Sequence, residues 1–177
     1  MKLTLEHIYF RDVFKDLTFA FETGKMTLLI GDTGAGKSTL FRILTNFNEL
    51  DFSGEVKLGD TLLSHLPIHK RVTYLSMMFQ NPSRQFTMPT LYEELIFTLE
   101  NLQTPSDQID EKIQHAIALG KVEHLLHRDF LTLSGGEKQQ VSLAVLLAMD
   151  SQIILLDEPF ASVDQEARKR LIHLLSD

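Results

Sequence analysis

The sequence has 177 residues, 44% of them hydrophobic and 23% charged, a composition suited to one globular domain with a sizeable core. Its formal net charge of -7 offers no basic face for a phosphate backbone, so nucleic acid is not expected as a partner. Cysteine is absent, which excludes a disulfide framework and a thiolate zinc site and fits a reducing cytosol.

The first ten residues mix Lys2, Glu6 and His7 among apolar side chains and lack the apolar core of a signal peptide. No stretch approaches the roughly 20 apolar residues of a membrane helix, so any spanning would fall to another chain. Lys2 to Ile8 and Leu17 to Phe21 alternate as strands do. Glu22-Thr23-Gly24 marks a turn, and Met26 to Ile30 reads as a buried strand ending at Gly31. From Lys37 to Phe47 the residues Leu40, Phe41, Ile43, Leu44 and Phe47 recur at helical spacing. Gly54 to Leu58 and Val72 to Leu75 are further strands, and Pro82 and Pro89 bracket an irregular stretch. Thr90 to Leu102 predicts a helix, and Ser106 caps another whose stripe is Ile109, Ile113, Ile117 and Leu119. A short helix over Val122 to His127, a helix from Glu137 to Ala148, a buried strand over Ile153 to Leu156 and a helix from Gln165 to Leu175 complete the chain.

Strands lead, a helical block interrupts, and a strand and helix resume. That order predicts a single α/β domain, with a core over about 1–84 and 130–177 and an inserted helical subdomain over about 85–129.

Gly31-Asp32-Thr33-Gly34-Ala35-Gly36-Lys37-Ser38, followed by Thr39, has the spacing of a phosphate-binding loop. Glycines let successive N–H groups turn inward on phosphate oxygens, and the following helix adds its N-terminal dipole. Lys37 would place a positive charge on the β- and γ-phosphates, and Ser38 would offer its hydroxyl to Mg²⁺. A chance match in a chain of this length is on the order of one in a hundred.

The apolar run Ile153 to Leu156 ends in Asp157-Glu158-Pro159. Asp157 is placed to help hold Mg²⁺ and Glu158 to polarise an attacking water, the alternative being a buried strand that runs into a solvated acidic turn. Leu133-Ser134-Gly135-Gly136-Glu137 brings two more glycines to a helix start, a second candidate anion site that, taken by itself, reads better as an ordinary helix-capping loop. Five of the nine glycines fall in these two segments.

Together the segments resemble the ATP-binding-cassette ATPases over nearly the whole chain. Leu133 to Glu137, continued by Lys138-Gln139-Gln140, is similar to the family signature; Phe79-Gln80-Asn81-Pro82 resembles its Q-loop and Ser162-Val163-Asp164 its D-loop. The resemblance implies a phosphate-loop core with N-terminal strands and an inserted helical subdomain. It implies ATP and Mg²⁺ as ligands, with Gln80 sensing the γ-phosphate and the metal. It also implies a composite site, in which Ser134, Gly135 and Gly136 contact ATP held by the loop of a second cassette subunit. Further partners would be integral membrane transporter subunits, with the chain peripheral on the cytoplasmic face. Phe79 to Phe86 followed by Thr90 to Glu94 is similar to the ATPases of energy-coupling-factor transporters, which import vitamins and metal ions. In that group the segment around Gln85 meets the transmembrane partner.

In the family, the helix after the D-loop leads to another strand and a switch histidine. The sequence ends at Asp177 before either, so part of the usual C-terminal fold is expected to be missing. Tyr9, Phe10 and Phe14 are candidates for an aromatic on adenine, with strand packing an equal explanation. Two other readings stay open: a soluble cassette ATPase unconnected with transport, and a subunit that binds nucleotide without hydrolysing it.

Overall fold

In the computed structural model, residues 2–22, 24–45 and 50–160 are described, together with 165, 168, 169 and 172. The chain divides into two compact units, Met1–Leu75 and Ser76–Asp177.

The first unit is built on β1 (Lys2–Phe10), β2 (Phe14–Glu22), β3 (Ser53–Leu58) and β4 (Thr61–Leu62), in the order β2-β1-β3-β4. All three pairings are antiparallel. On β1 the buried side chains are Leu3, Leu5, Ile8 and Phe10, so the period of two breaks between Leu5 and Ile8. A bulge accounts for the break. His7 takes a left-handed backbone (φ 52), its N–H donates to Thr18 Oγ1, and Ile8 rather than His7 continues the buried face. Helix α1 (Lys37–Thr45) buries Leu40, Ile43 and Leu44, the stripe its spacing predicts.

Two expectations for this unit are corrected. Met26 to Ile30 has no regular secondary structure and joins no sheet among the described residues, and Met26, Leu28 and Ile30 are 79%, 79% and 87% exposed. Its apolar run describes what the segment is able to bury, but within its unit no strand lies alongside to complete a ladder. Val72 to Tyr74 belongs to α2 (Ile68–Tyr74), and the strand begins at Leu75. Pro67 opens that helix, and the Arg71 guanidinium ties it back by donating to the Leu66 and Ser64 carbonyls.

In the second unit β5 (Leu75–Met78), buried at every position, pairs with β6 (Ile153–Leu156). A helical cluster surrounds α3 (Leu91–Asn101), α4 (Ser106–Gly120) and α5 (Gly135–Met149). Its centre is Leu91, Leu95 and Leu99 of α3, Ile113 and Ile117 of α4 and Val141 of α5, each at most 2% exposed. Along α5 nearly every residue from Val141 to Ala148 is buried or half-buried, as befits a helix covered on several sides. Thr90 caps α3 by accepting from the Glu93 N–H. Buried Glu94 uses one oxygen to accept from the Thr87 and Met88 N–H groups, each at 2.7 Å, which fixes the irregular stretch before α3.

Boundaries differ from the sequence reading where caps decide them. Pro105, not Ser106, precedes α4, with no side-chain cap. Leu119 is 40% exposed and lies off the α4 stripe. The short helix before the signature is a 3-10 turn over Glu123–Leu125. Helix α5 starts two residues earlier than Glu137, because Ser134 caps it. The positions 165, 168, 169 and 172 are helical, while Ser162 to Asp164 and the end of the predicted first helix at Phe47 lie outside the described residues.

Leu95 is fully buried between α3 and its neighbours. Leu95→Ala is expected to destabilise the second unit by about 2–5 kcal/mol. Urea unfolding followed by far-ultraviolet circular dichroism measures the loss, and a change below about 1 kcal/mol would contradict this packing.

Candidate nucleotide-binding site

The glycine-rich loop lies between the irregular 26–30 segment and α1. Residues 31–35 are exposed, and Gly36 to Thr39 are half-buried as the helix begins. The Ala35 N–H donates to the Asp32 carbonyl at 3.1 Å, and the Leu40 N–H donates to Gly36 as the first helical bond. Lys37 reaches back over the loop: its ammonium donates to the Gly31 carbonyl at 2.6 Å and the Asp32 carbonyl at 2.9 Å. The cation is therefore held against the loop backbone at the start of α1, and a helix start is where an anion would be stabilised. Gly36 has φ +91, and a Cβ there would sit 2.5 Å from Val13 Cγ1 and 3.1 Å from Phe14 Cζ. Both its backbone and its surroundings demand glycine. Of the three candidate aromatics, Phe14 is the one whose ring is placed beside this loop. Phe10 is buried beneath the Arg11 guanidinium, and Tyr9 lies on β1 at 47% exposure.

The second unit brings together two of the predicted catalytic residues. The Asp157 N–H donates to the Met78 carbonyl at 3.0 Å, which joins the ends of β6 and β5. Asp157 is buried at 6% exposure, and Glu158 turns outward with a left-handed backbone (φ 50). Such a backbone is costly for a residue with a side chain and re-aims the carboxylate. Gln80 Nε2 donates to Glu158 Oε2 at 2.8 Å, across 78 positions of sequence. Gln80 is itself held by its flanks. Gln85 accepts from the Phe79 N–H and donates to the Met77 carbonyl, both at 2.9 Å, so one amide bridges the exit of β5. Asn81 Oδ1 accepts from the Ser83 N–H, and Pro82 is buried in the 3-10 turn Pro82–Arg84. The sequence reading placed the Gln85 segment at a partner surface; the side chain of Gln85 itself serves its own backbone.

The signature residues form another constellation, at the start of α5. Ser134 Oγ accepts from the Glu137 N–H at 3.3 Å, and Glu137 Oε2 accepts from the Ser134 N–H at 2.7 Å, a reciprocal capping box. Gly135 lies exposed and Gly136 half-buried at the first helical positions. Arg128 Nη1 donates to Glu137 Oε1 at 2.7 Å, and its Nη2 donates to the Thr132 carbonyl at 3.2 Å. The bonds from Ser134, first its backbone and then its side chain, together with the Arg128 cation, hold the Glu137 carboxyl below its ordinary value of 4.5. Glu137 is thus ionised at neutral pH.

The supporting roles of Gln85, Glu94 and Arg128 were not read from the sequence, although Gln85 and Glu94 lie in the segments that carry the energy-coupling-factor resemblance. Each acts on backbone or on a carboxylate brought close by turns, and none belongs to a periodic stripe or a glycine pattern.

Among the described residues no helix is long and apolar enough to cross a membrane. Residues 14–161 match the family model described as ABC transporter. An energy-coupling factor transporter ATP-binding protein, EcfA1, of Thermotoga maritima is 34% identical over 99% of this chain and 67% of its own length. The EcfA1 protein of Leuconostoc mesenteroides is 33% identical over 93% of this chain and 60% of its own length. Among solved structures, CbiO1 from Clostridium perfringens, part of the ABC transporter complex CbiONQ, superposes with a TM-score of 0.83 at 27% identity, covering 98% of this chain and 71% of that one. Several of the curated relatives are longer, and the chain spans between 34% and 67% of the length of three of them. With a family match over most of its length and a shared mixed α/β fold, the chain belongs to the ABC transporter ATP-binding family.

Proposed function

We propose that the chain is the ATP-binding and ATP-hydrolysing subunit of a membrane importer for a small solute such as a vitamin or metal ion. The importer character comes from its likeness to the energy-coupling-factor relatives. It would work with a second cassette ATPase subunit and with integral membrane subunits, on the cytoplasmic face of the membrane. The observation that carries the hydrolytic part is the Gln80–Glu158 hydrogen bond of 2.8 Å beside the buried Asp157. A glutamate held by one oxygen keeps the other to accept a proton from water, which is the task of a general base or water positioner.

Each unit taken by itself carries oxygen donors of the kind that suit Mg²⁺, a hard cation. Ser38 offers a hydroxyl, Asp157 a buried carboxylate, and the Gln80 amide, donating through nitrogen to Glu158, keeps its oxygen for the metal. When bound, the ion would neutralise charge on the β- and γ-phosphates. The chain's own work is then binding and placement. The N–H groups from Gly34 to Ser38, with Thr39 behind them, cradle the phosphates, with Gly31, Asp32, Thr33 and Ala35 shaping the loop. Lys37 exchanges its two carbonyl partners for phosphate oxygens. Glu158 would polarise the attacking water. Ser134, Gly135 and Gly136 offer hydroxyl and N–H donors to the ATP carried by the second subunit.

Within this reading, residues 1–84 and 130–177 form the nucleotide-binding core and 85–129 a helical subdomain that transmits closure to the membrane partner.

Glu158→Gln in the assembled transporter is expected to keep ATP affinity within about 3-fold and to lose at least about 100-fold in turnover, since the amide still hydrogen-bonds Gln80 but is no base. Radiolabelled ATP binding and phosphate release separate the two quantities. Wild-type turnover by this variant would remove Glu158 from the mechanism. Gly36→Ala is expected to weaken ATP binding by at least about 30-fold, through strain at φ +91 and collision with Val13. A fluorescent-nucleotide titration measures it, and undiminished affinity would show that the loop does not bind phosphate in this form.

A further inference from the structure

The start of α5 presents an electrostatic conflict. A helix N-terminus with two glycines suits an anion, but Glu137, at the third position of the helix, places a full negative charge within the first turn. A carboxylate there strengthens the isolated helix and repels an incoming triphosphate. The side chain cannot simply be truncated, because Glu137 Oε2 accepts the Ser134 N–H and so fixes the backbone on which the serine hydroxyl stands. That hydroxyl accepts from the Glu137 N–H, so serine and glutamate hold each other at the helix start.

Arg128 resolves the conflict geometrically. It lies outside α5, just before the turn Phe130–Thr132 that leads into the signature. One guanidinium nitrogen meets the Glu137 oxygen that the capping box does not use, at 2.7 Å, and the other holds the Thr132 carbonyl at 3.2 Å. The pair is partly shielded, with the Arg128 side chain 43% and the Glu137 side chain 26% exposed. A planar, permanently charged fork suits this double task, which a lysine ammonium would perform poorly.

We propose that Arg128 is the charge-compensating and positioning residue of the signature segment: it cancels the Glu137 carboxylate so that the start of α5 can receive the γ-phosphate of ATP while the capping box stays intact. The inference rests on the reading of Ser134 to Gly136 as the site for the second subunit's ATP. It adds the reason why a carboxylate is tolerated beside that site.

The test is a mutant cycle in the assembled transporter, reading the ATP concentration for half-maximal hydrolysis. Arg128→Met is expected to raise it by about 10-fold, the effect of one uncompensated charge near the phosphate. Arg128→Met with Glu137→Gln is expected to return to within about 3-fold of wild type, because the glutamine carbonyl still accepts the Ser134 N–H without a charge to cancel. Raising the salt concentration should shrink the Arg128→Met defect and leave the double variant little affected. If Arg128 only braced the Thr132 carbonyl, Glu137→Gln would restore nothing, and the proposal would be overturned. A single Arg128→Met variant with wild-type ATP dependence would overturn it equally. Ser134→Ala, measured in parallel, isolates the underlying reading. Wild-type hydrolysis by that variant would remove the signature site itself, whereas loss in Ser134→Ala together with no effect in Arg128→Met would remove only the role of Arg128.

Discussion

The pairing of β5 with β6 decides where the proposed hydrolytic residues stand. Those strands lie far apart in sequence, and the bond from the Asp157 N–H to the Met78 carbonyl closes their ends together. Beyond that bond both chains leave the sheet. One carries Gln80, held by the Gln85 amide bridge; the other carries Glu158, turned by a left-handed backbone. Their side chains meet at 2.8 Å because two strand ends and two turns bring them together. Cut the ladder and neither residue has a reason to face the other. This is the general economy of α/β enzymes, where reactive groups sit at the carboxyl ends of buried strands and are aimed by the turns that follow.

Both proposed phosphate sites reach their chemistry by the same device with opposite electrostatics. At the first, glycines open the start of α1 and Lys37 supplies positive charge from within the loop. At the other, glycines open the start of α5, but the capping residue is anionic, and the compensating cation comes from a neighbouring turn. Helix starts favour anions through unpaired N–H groups, so each is serviceable once the local charge is settled. The difference is consistent with separate tasks: one loop grips the phosphates of its own ATP, the other completes a site that a second subunit brings.

Much of this was legible in the sequence, and the unread part has identifiable physical causes. The phosphate loop, the Asp157-Glu158 pair and the signature are local patterns in which glycine and charge spacing map directly onto backbone geometry. The helix stripes of α1, α3 and α4 followed from periodicity, save for Leu119, which lies off the α4 face. Met26 to Ile30 misled because an apolar run reports what a segment is able to bury, whereas a ladder needs a strand beside it. The Val72 strand misled because apolar residues at a helix end read like the strand that follows. His7 shows the reverse: a bulge shifted the buried face by one residue, and only the pairing reveals it. The bracing roles of Gln85 and Arg128 left no local mark, since their partners are a strand's carbonyl and a helix carboxylate reached through irregular turns. Side chains that serve other side chains are written in three dimensions.

The claim that the chain powers a membrane importer is tested most directly by capturing the native protein from detergent-solubilised membranes and identifying by mass spectrometry what accompanies it. The account predicts an integral membrane protein and a second cassette ATPase in stoichiometric amount, with Mg²⁺-dependent ATP hydrolysis in the recovered complex. Recovery of the protein wholly in the soluble fraction, with no membrane-spanning partner, would contradict it.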